Sequence, residues 1–270
     1  ISGERAIREA DIPDAVRDSL FARWRDRLLH ITGRDGSGKP LYCPIWNYRD
    51  TTAWKSLSDG ERAELERLFS EKKERGERLW RAQATELLGE LVRGVDMLPC
   101  AEDLGSIPDC VPEVLSELGI YGLKVMRWER SWNEPGQPLK HFSGYPELSV
   151  ATTSVHDSST LRGWWDNEGG AAALDAYWRS AGEAGAEGGT GGKLDPALAR
   201  RVLSSLARSG SRILSVPLQD FLALSDDYYG TPSETDRINV PGSVTAFNWT
   251  WRVPVRVEAL KKDKRLVEAV

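Results

Sequence analysis

The pattern of apolar and polar positions divides the chain near residue 95. Before that point the apolar residues recur at helical spacing. In residues 13–30 (PDAVRDSLFARWRDRLLH), Val16, Leu20, Phe21, Trp24 and Leu28 stand three or four apart. Pro13 lies near the start, where its missing N–H costs nothing, and the stretch predicts a helix. Residues 33–40 read as a turn-rich loop, and residues 41–57 carry Tyr42, Trp46, Tyr48 and Trp54 without a clear period. Ser58 and Glu61 have the spacing of a capping box, which predicts a long helix running to about Val92. Its charged stretch from Glu71 to Arg78 reads as a solvated face.

From Met97 the rhythm changes. Short apolar runs at 97–101 (MLPCA), 122–128 (GLKVMRW), 148–154 (LSVATTS) and 212–218 (RILSVPL) are separated by helical segments. These helices are predicted from Pro108 to Leu118, around 171–180 and around 195–208. Asp195 caps the last of them, with Pro196 in its first turn. Such alternation implies parallel strands joined by crossover helices, an α/β class. Four strands of this kind make half of a (β/α)8 barrel and leave open strand edges. Residues 1–95 are expected to form a helical subdomain, and residues 96–270 the half-barrel. Gly182 to Gly192 reads as a glycine-rich surface loop, and no internal repeat is present.

Composition narrows the function classes. The 270 residues carry a net charge of -5, with basic and acidic residues interleaved. That surface gives no electrostatic reason to hold a phosphate backbone, so nucleic acid is not an expected partner. No apolar run approaches the ~20 residues that span a bilayer, and the charged start lacks the pattern of a signal peptide. Cys43, Cys100 and Cys110 are too few for a disulfide framework and suit a reducing cytoplasm. None has metal-ligand spacing with the histidines, so no metal is expected. The 11 tryptophans are the outlier, since indole faces serve both core packing and stacking on sugar rings. A chain starting at Ile1 without an initiator Met, with open sheet edges, is expected to be part of a longer polypeptide.

In parallel α/β folds the functional side chains lie just past the C-terminal ends of strands. That rule selects Glu102 and Asp103, then Arg127 and Trp128, then His156 and Asp157 leading to Trp164 and Trp165, and finally Gln219 and Asp220. Paired carboxylates with tryptophans suit glycoside chemistry, which needs carboxyl groups flanking the scissile bond. On pattern alone, Glu102 or Asp103 equally suits a helix cap, His156 and Asp157 a loop hydrogen-bond pair, and Gln219 and Asp220 the start of a helix. A metal site at His156 and Asp157 has no third ligand spaced for it.

The motifs are more specific. CAEDLGSIPDCVPEVLSELGIYGLKVMRW resembles the acid/base segment of glycoside hydrolase family 77, the amylomaltases and disproportionating enzymes. YPELSVATTSVHDSSTLRGWW resembles that family's His-Asp loop, in the form found in the branch of plant cytosolic disproportionating enzymes. VPLQDFLAL and RINVPGSVTAFNWTWR are similar to its last strand and closing segment. The likeness is strong from about 97 to 255, and residues 1–92 resemble the helical segment that this branch inserts. It implies the C-terminal half of a (β/α)8 TIM barrel preceded by that insertion.

The resemblance also implies a 4-α-glucanotransferase acting on α-1,4-glucans of starch or maltodextrin type, with no cofactor. Glu102 matches the general acid/base and Asp157 the carboxylate that stabilises the transition state. His156, Asp103, Trp128, Trp164, Gln219, Asp220 and Asn239 match or neighbour substrate-binding positions, with Asp103 also suited to ordering its loop and Trp128, Trp164 and Trp165 equally suited to the core. Trp249 matches a position near the site or closing the barrel.

One departure stands out. The family's aspartate nucleophile lies in an Arg-x-Asp context on an earlier strand, and no Arg-x-Asp occurs in this chain. The nearest approximation, Asp96 in RGVD, precedes Glu102 by six residues, roughly 20 Å along a strand. Retaining carboxyls stand only about 5–5.5 Å apart. The nucleophile is therefore expected upstream, on a half of the polypeptide that partners this one. The alternatives are a relative that binds glucan without catalysis and an α-glucan hydrolase.

Overall fold

The computed structural model describes residues 3–185, 192–228 and 232–269, so residues 186–191 of the glycine-rich stretch lie outside the described residues. The chain forms two compact units, Ile1–Trp80 and Arg81–Val270.

The first unit opens with helices α1 (Glu4–Glu9) and α2 (Asp14–Arg25). The helix predicted through residue 30 ends early, at Arg25. There the Asp26 N–H closes the last turn on Ala22 O at 3.0 Å, and the Asp26 carboxylate accepts from the Thr52 N–H at 2.7 Å. An antiparallel hairpin comes next, β1 (Leu29–Arg34) with β2 (Pro40–Pro44), where the sequence pattern suggests a helix end, a loop and an unpatterned stretch. β-Branched Ile31 and Thr32 suit a strand, and the connection has its own turn chemistry. Asp35 Oδ1 accepts from the N–H groups of Ser37 and Lys39 at 2.9 and 3.0 Å, and Gly38 supplies a φ of 86°. The region before residue 95 is therefore not purely helical.

After α3 (Thr52–Lys55), helix α4 (Asp59–Gly94) starts at the predicted capping box. The Ser58 N–H donates to Glu61 Oε2 at 2.8 Å, and the Glu61 N–H returns to Ser58 Oγ at 3.4 Å. Tyr48 forms a small aromatic knot, its ring 5.0 Å from those of Trp54 and Phe69.

The second unit holds a sheet of order β3 (Cys100–Ala101), β4 (Tyr121–Val125), β5 (Ser149–Thr152) and β6 (Ile213–Leu214). Every pairing is parallel, as the alternating pattern implies, though each strand is shorter than its apolar run. Helix α5 (Val111–Glu117) connects β3 to β4. Helices α6 (Leu161–Asn167), α7 (Gly170–Ser180) and α8 (Pro196–Ala207) connect β5 to β6. Asp195 caps α8 as expected, accepting from the Leu198 N–H at 2.7 Å. The core is centred on Trp178, Phe142, Met126, Leu161, Leu174 and Leu206, all essentially inaccessible. Because the strands run the same way, their C-terminal ends share one edge, and each loop leaving that edge faces the same side.

Candidate active site

Glu102 leaves that edge one residue after β3 and is exposed, with no ion pair holding it among the described residues. Its neighbour Asp103 is held fast. The Asp103 carboxylate accepts from the Leu123 N–H at 2.8 Å and pairs with Lys124 Nζ at 2.7 Å. It lies over the backbone of Gly122, where a Cβ would come within 2.7 Å of Asp103 Oδ2. Gly122 thus lets the carboxylate dock on β4, and the docked carboxylate fixes the turn that presents Glu102. The sequence places Asp103 in the substrate-binding set; both of its oxygens are instead engaged with β4.

The loop after β5 is held from two sides by buried charges. From below, Asp220 in α9 (Leu218–Leu222) is 0% exposed. Its carboxylate accepts from the Thr153 hydroxyl, from Ser154 Oγ at 2.9 Å and from the Leu161 N–H at 2.7 Å. Burial raises its pKa against these hydrogen bonds. From the other side comes Arg127, also buried, just past the end of β4. It donates to Ser159 Oγ at 2.6 Å and to the carbonyls of Ser159 and Thr160 at 2.8 and 3.2 Å. Burial pushes its pKa down to about 10, so the guanidinium stays charged at neutral pH. The side chain of Thr160 then caps α6 through the Gly163 N–H.

Between these anchors His156 and Asp157 reach the surface. His156 Nε2 is 3.4 Å from Asp157 Oδ1. The segment after Arg237 closes over them: Asn239 Nδ2 donates to Asp157 Oδ1 at 2.6 Å, and the Asn239 N–H donates to His156 O at 3.1 Å. Arg237 spans both strips, donating to Asp157 O at 3.0 Å and to Asn239 O at 2.8 Å. Trp249 lies beside the His156 ring at 5.2 Å. Arg237 is not among the residues expected from sequence; its signal there is a cation two positions before Asn239.

Gln219 lies half-buried at the edge of a cavity of about 530 Å³ that also involves Arg162, Asp236, Tyr228 and Trp251. Arg162 pairs there with Asp236 at 2.9 Å. Trp128, after β4, is 36% exposed and keeps a free face.

Two expected substrate-binding residues are corrected. Asp220 is enclosed, with its oxygens occupied by the protein's own donors, so it has no route to a sugar. Trp164 is 3% exposed because it lies on the inner face of α6, where its ring meets the Arg127 guanidinium at 5.2 Å. Trp165, the other candidate from this pair, is equally buried and donates to Gly192 O at 3.0 Å.

With strands roughly 4.8 Å apart, the C-terminal ends of β3 and β5, on either side of β4, lie about 10 Å apart. Glu102 and the loop carrying His156 and Asp157 therefore follow strands that end on the same side of the sheet. Among the described residues no cluster of three or more His, Cys, Asp and Glu side chains is arranged to hold a metal. No described helix is long and apolar enough to cross a membrane.

The comparison with known proteins agrees with the motifs. A family profile described as 4-alpha-glucanotransferase, that of glycoside hydrolase family 77, matches residues 43–258. The 4-alpha-glucanotransferase DPE2 of Oryza sativa is 32% identical over 255 residues, 93% of this chain and 26% of the rice protein. The 4-alpha-glucanotransferase of Chlamydia muridarum is 35% identical over 188 residues, 68% of this chain and 33% of its own length. A solved amylomaltase from Streptococcus agalactiae, in complex with acarbose, is similar over 92% of this chain and 50% of its own, at 20% identity and a TM-score of 0.49. The chain thus spans about a quarter to a third of these curated relatives. By the reach of the family profile across most of its length, this chain belongs to glycoside hydrolase family 77, the 4-alpha-glucanotransferases.

Proposed function

We propose that this polypeptide transfers α-1,4-glucan segments from maltodextrin or starch-type donors to sugar acceptors. Residues 96–270 act as the C-terminal half of a (β/α)8 barrel, and residues 1–95 as an inserted subdomain. The observation that carries the reading is the common edge: Glu102 and the Asp157–Asn239 pair leave parallel strands on the same side.

Glu102 is the general acid/base. Protonated, it gives its proton to the departing glycosidic oxygen while the donor glucan bonds to the nucleophile. Ionised, it then takes the proton of an acceptor hydroxyl, whose oxygen attacks the same carbon and releases the nucleophile. The nucleophile is an aspartate upstream of this chain. Asp157 binds donor hydroxyls and stabilises the oxocarbenium-like transition state, with His156 and Asn239 as hydrogen-bond partners. Gln219 and Trp128 line the approach of the glucan. Asp103, Arg127 and Asp220 act as positioning residues for the two loops. Three cysteines, too few for a disulfide framework, support a cytoplasmic setting.

Glu102→Gln in the full-length protein tests this. It is expected to reduce transfer from maltotriose at least ~100-fold, the usual worth of a general acid/base, with glucan affinity nearly unchanged. Transfer within a few-fold of the unmodified protein would refute the assignment.

A further inference from the structure

Trp249 combines two features that core packing does not explain. Its backbone is left-handed, with φ 65°, and its side chain is 65% exposed. A bulky residue in this region is strained, because its Cβ crowds the following carbonyl; a glycine would adopt the turn freely. An indole that merely sealed the fold would be buried. Here strain is kept and the ring faces out. Strain of this kind is retained where the surroundings over-determine it, and it clusters at ligand clamps.

The surroundings do over-determine it. The Trp249 N–H donates to Ile238 O at 2.8 Å. The side chain of the preceding Asn248 accepts from the Val240 N–H at 3.1 Å and donates to Ser243 O at 3.0 Å. These bonds tie residues 238–249 into a closed loop. Its other end is Asn239, fixed to Asp157 at 2.6 Å. The indole is thereby set 5.2 Å from the His156 ring, the planes inclined by 36°. An apolar plate stands at the margin of a cluster of hydroxyl-binding groups.

We propose that Trp249 is a binding residue on which a glucosyl ring of the substrate stacks beside the His156–Asp157–Asn239 cluster. A pyranose has a face of C–H bonds and a rim of hydroxyls, which matches an indole face flanked by hydrogen-bonding groups. The loop supplies that plate already oriented, so little freedom is lost on binding. This inference rests on the glucan-transfer reading and adds to it a contact that governs affinity.

The backbone conformation supplies the test. Trp249→Gly removes the ring and relieves the strain together, so a structural role and a binding role have opposite signatures. In the full-length protein, maltoheptaose affinity is measured by calorimetry and melting by circular dichroism, with Trp249→Phe as the conservative arm. W249G is expected to bind roughly tenfold more weakly, with a melting temperature equal to or above that of the unmodified protein. W249F should recover most of the lost affinity. Overturning outcomes are W249G binding as well as the unmodified protein, or W249G melting markedly lower while W249F loses as much affinity. If the unmodified protein neither binds nor transfers glucan, the proposed function falls and this contact with it.

Discussion

The two units keep their carboxylates under opposite conditions. In Ile1–Trp80 the perturbed carboxylates Asp26, Asp35 and Glu61 lie at the surface and are favoured as anions by donors nearby. Thr52 holds Asp26 below the usual carboxylate range; Ser37, aided by the Lys39 N–H, does the same for Asp35, and Ser58 for Glu61. In Arg81–Val270 two perturbed carboxyls, Asp220 buried and Asp236 half-buried, are pushed the other way. Desolvation raises both Asp220 and Asp236, against the pull of the hydroxyls in one case and of Arg162 in the other. Surface donors in the first unit shape local turns; the enclosed Asp220 in the second holds the loop after β5 from within. A carboxylate's role thus depends on how many donors reach it and how little water does.

The strongest way to break this contrast is Asp220→Ala. It leaves the Thr153 and Ser154 hydroxyls and the Leu161 N–H without their acceptor, and the buried Arg127 with Glu168, 3.6 Å away, as its anion. Unfolding free energy should fall by about 3–5 kcal/mol, the usual result of removing one member of a buried charged network. Urea denaturation followed by tryptophan fluorescence reads it. A loss below about 1 kcal/mol would mean that the enclosed carboxylate does not anchor the loop.

Acid should then separate the units. Depressed carboxyls such as Asp26 and Asp35 contribute stability present above their unfolded pKa near 4 and lost as pH falls through the folded value. Asp220 and Asp236 have raised folded values, so protonation favours the folded form and their contribution grows as pH drops through those values. Between pH 7 and 3.5, amide protection should decline in the hairpin at 29–44 before it declines in β4 and β5. Earlier loss in β4 and β5 would reverse the comparison. The smallest effect is expected at Ser58→Ala, which removes one half of the capping box and should lower the melting temperature by roughly 2–4 °C. No change would mean that the start of α4 is fixed by packing alone.

The four strands and the caps at Ser58 and Asp195 are legible because each rests on local chemistry: an apolar run bounded by turn residues, or an oxygen three residues ahead of an N–H. The hairpin at 29–44 is not, since the α2 pattern runs on through Leu28 while the contacts made past Arg25, Asp26 with Thr52 and Leu28 with Ile45, are long-range. Asp220 illustrates the same limit at the site. A carboxylate at a strand end reads as a ligand-binding group, yet its donors lie 59 to 67 residues away. Trp164 and Trp249 are the same residue type with opposite fates, one inside α6 and one on a strained turn, and residue type does not encode that difference. His156, Asp157 and Asn239, by contrast, lie within the quoted motifs and are in contact in the structure.

The separation between Asp220 and the loop it anchors bears on how the protein is made. A growing chain that has emerged only as far as residue 215 can already pair β3, β4, β5 and β6, but of the two anchors of the segment carrying His156 and Asp157 only Arg127 is yet present. Asp220 must arrive first, and Asn239 some twenty residues later. The loop carrying His156 and Asp157 is therefore among the last parts of this region to take shape, after the sheet that supports it.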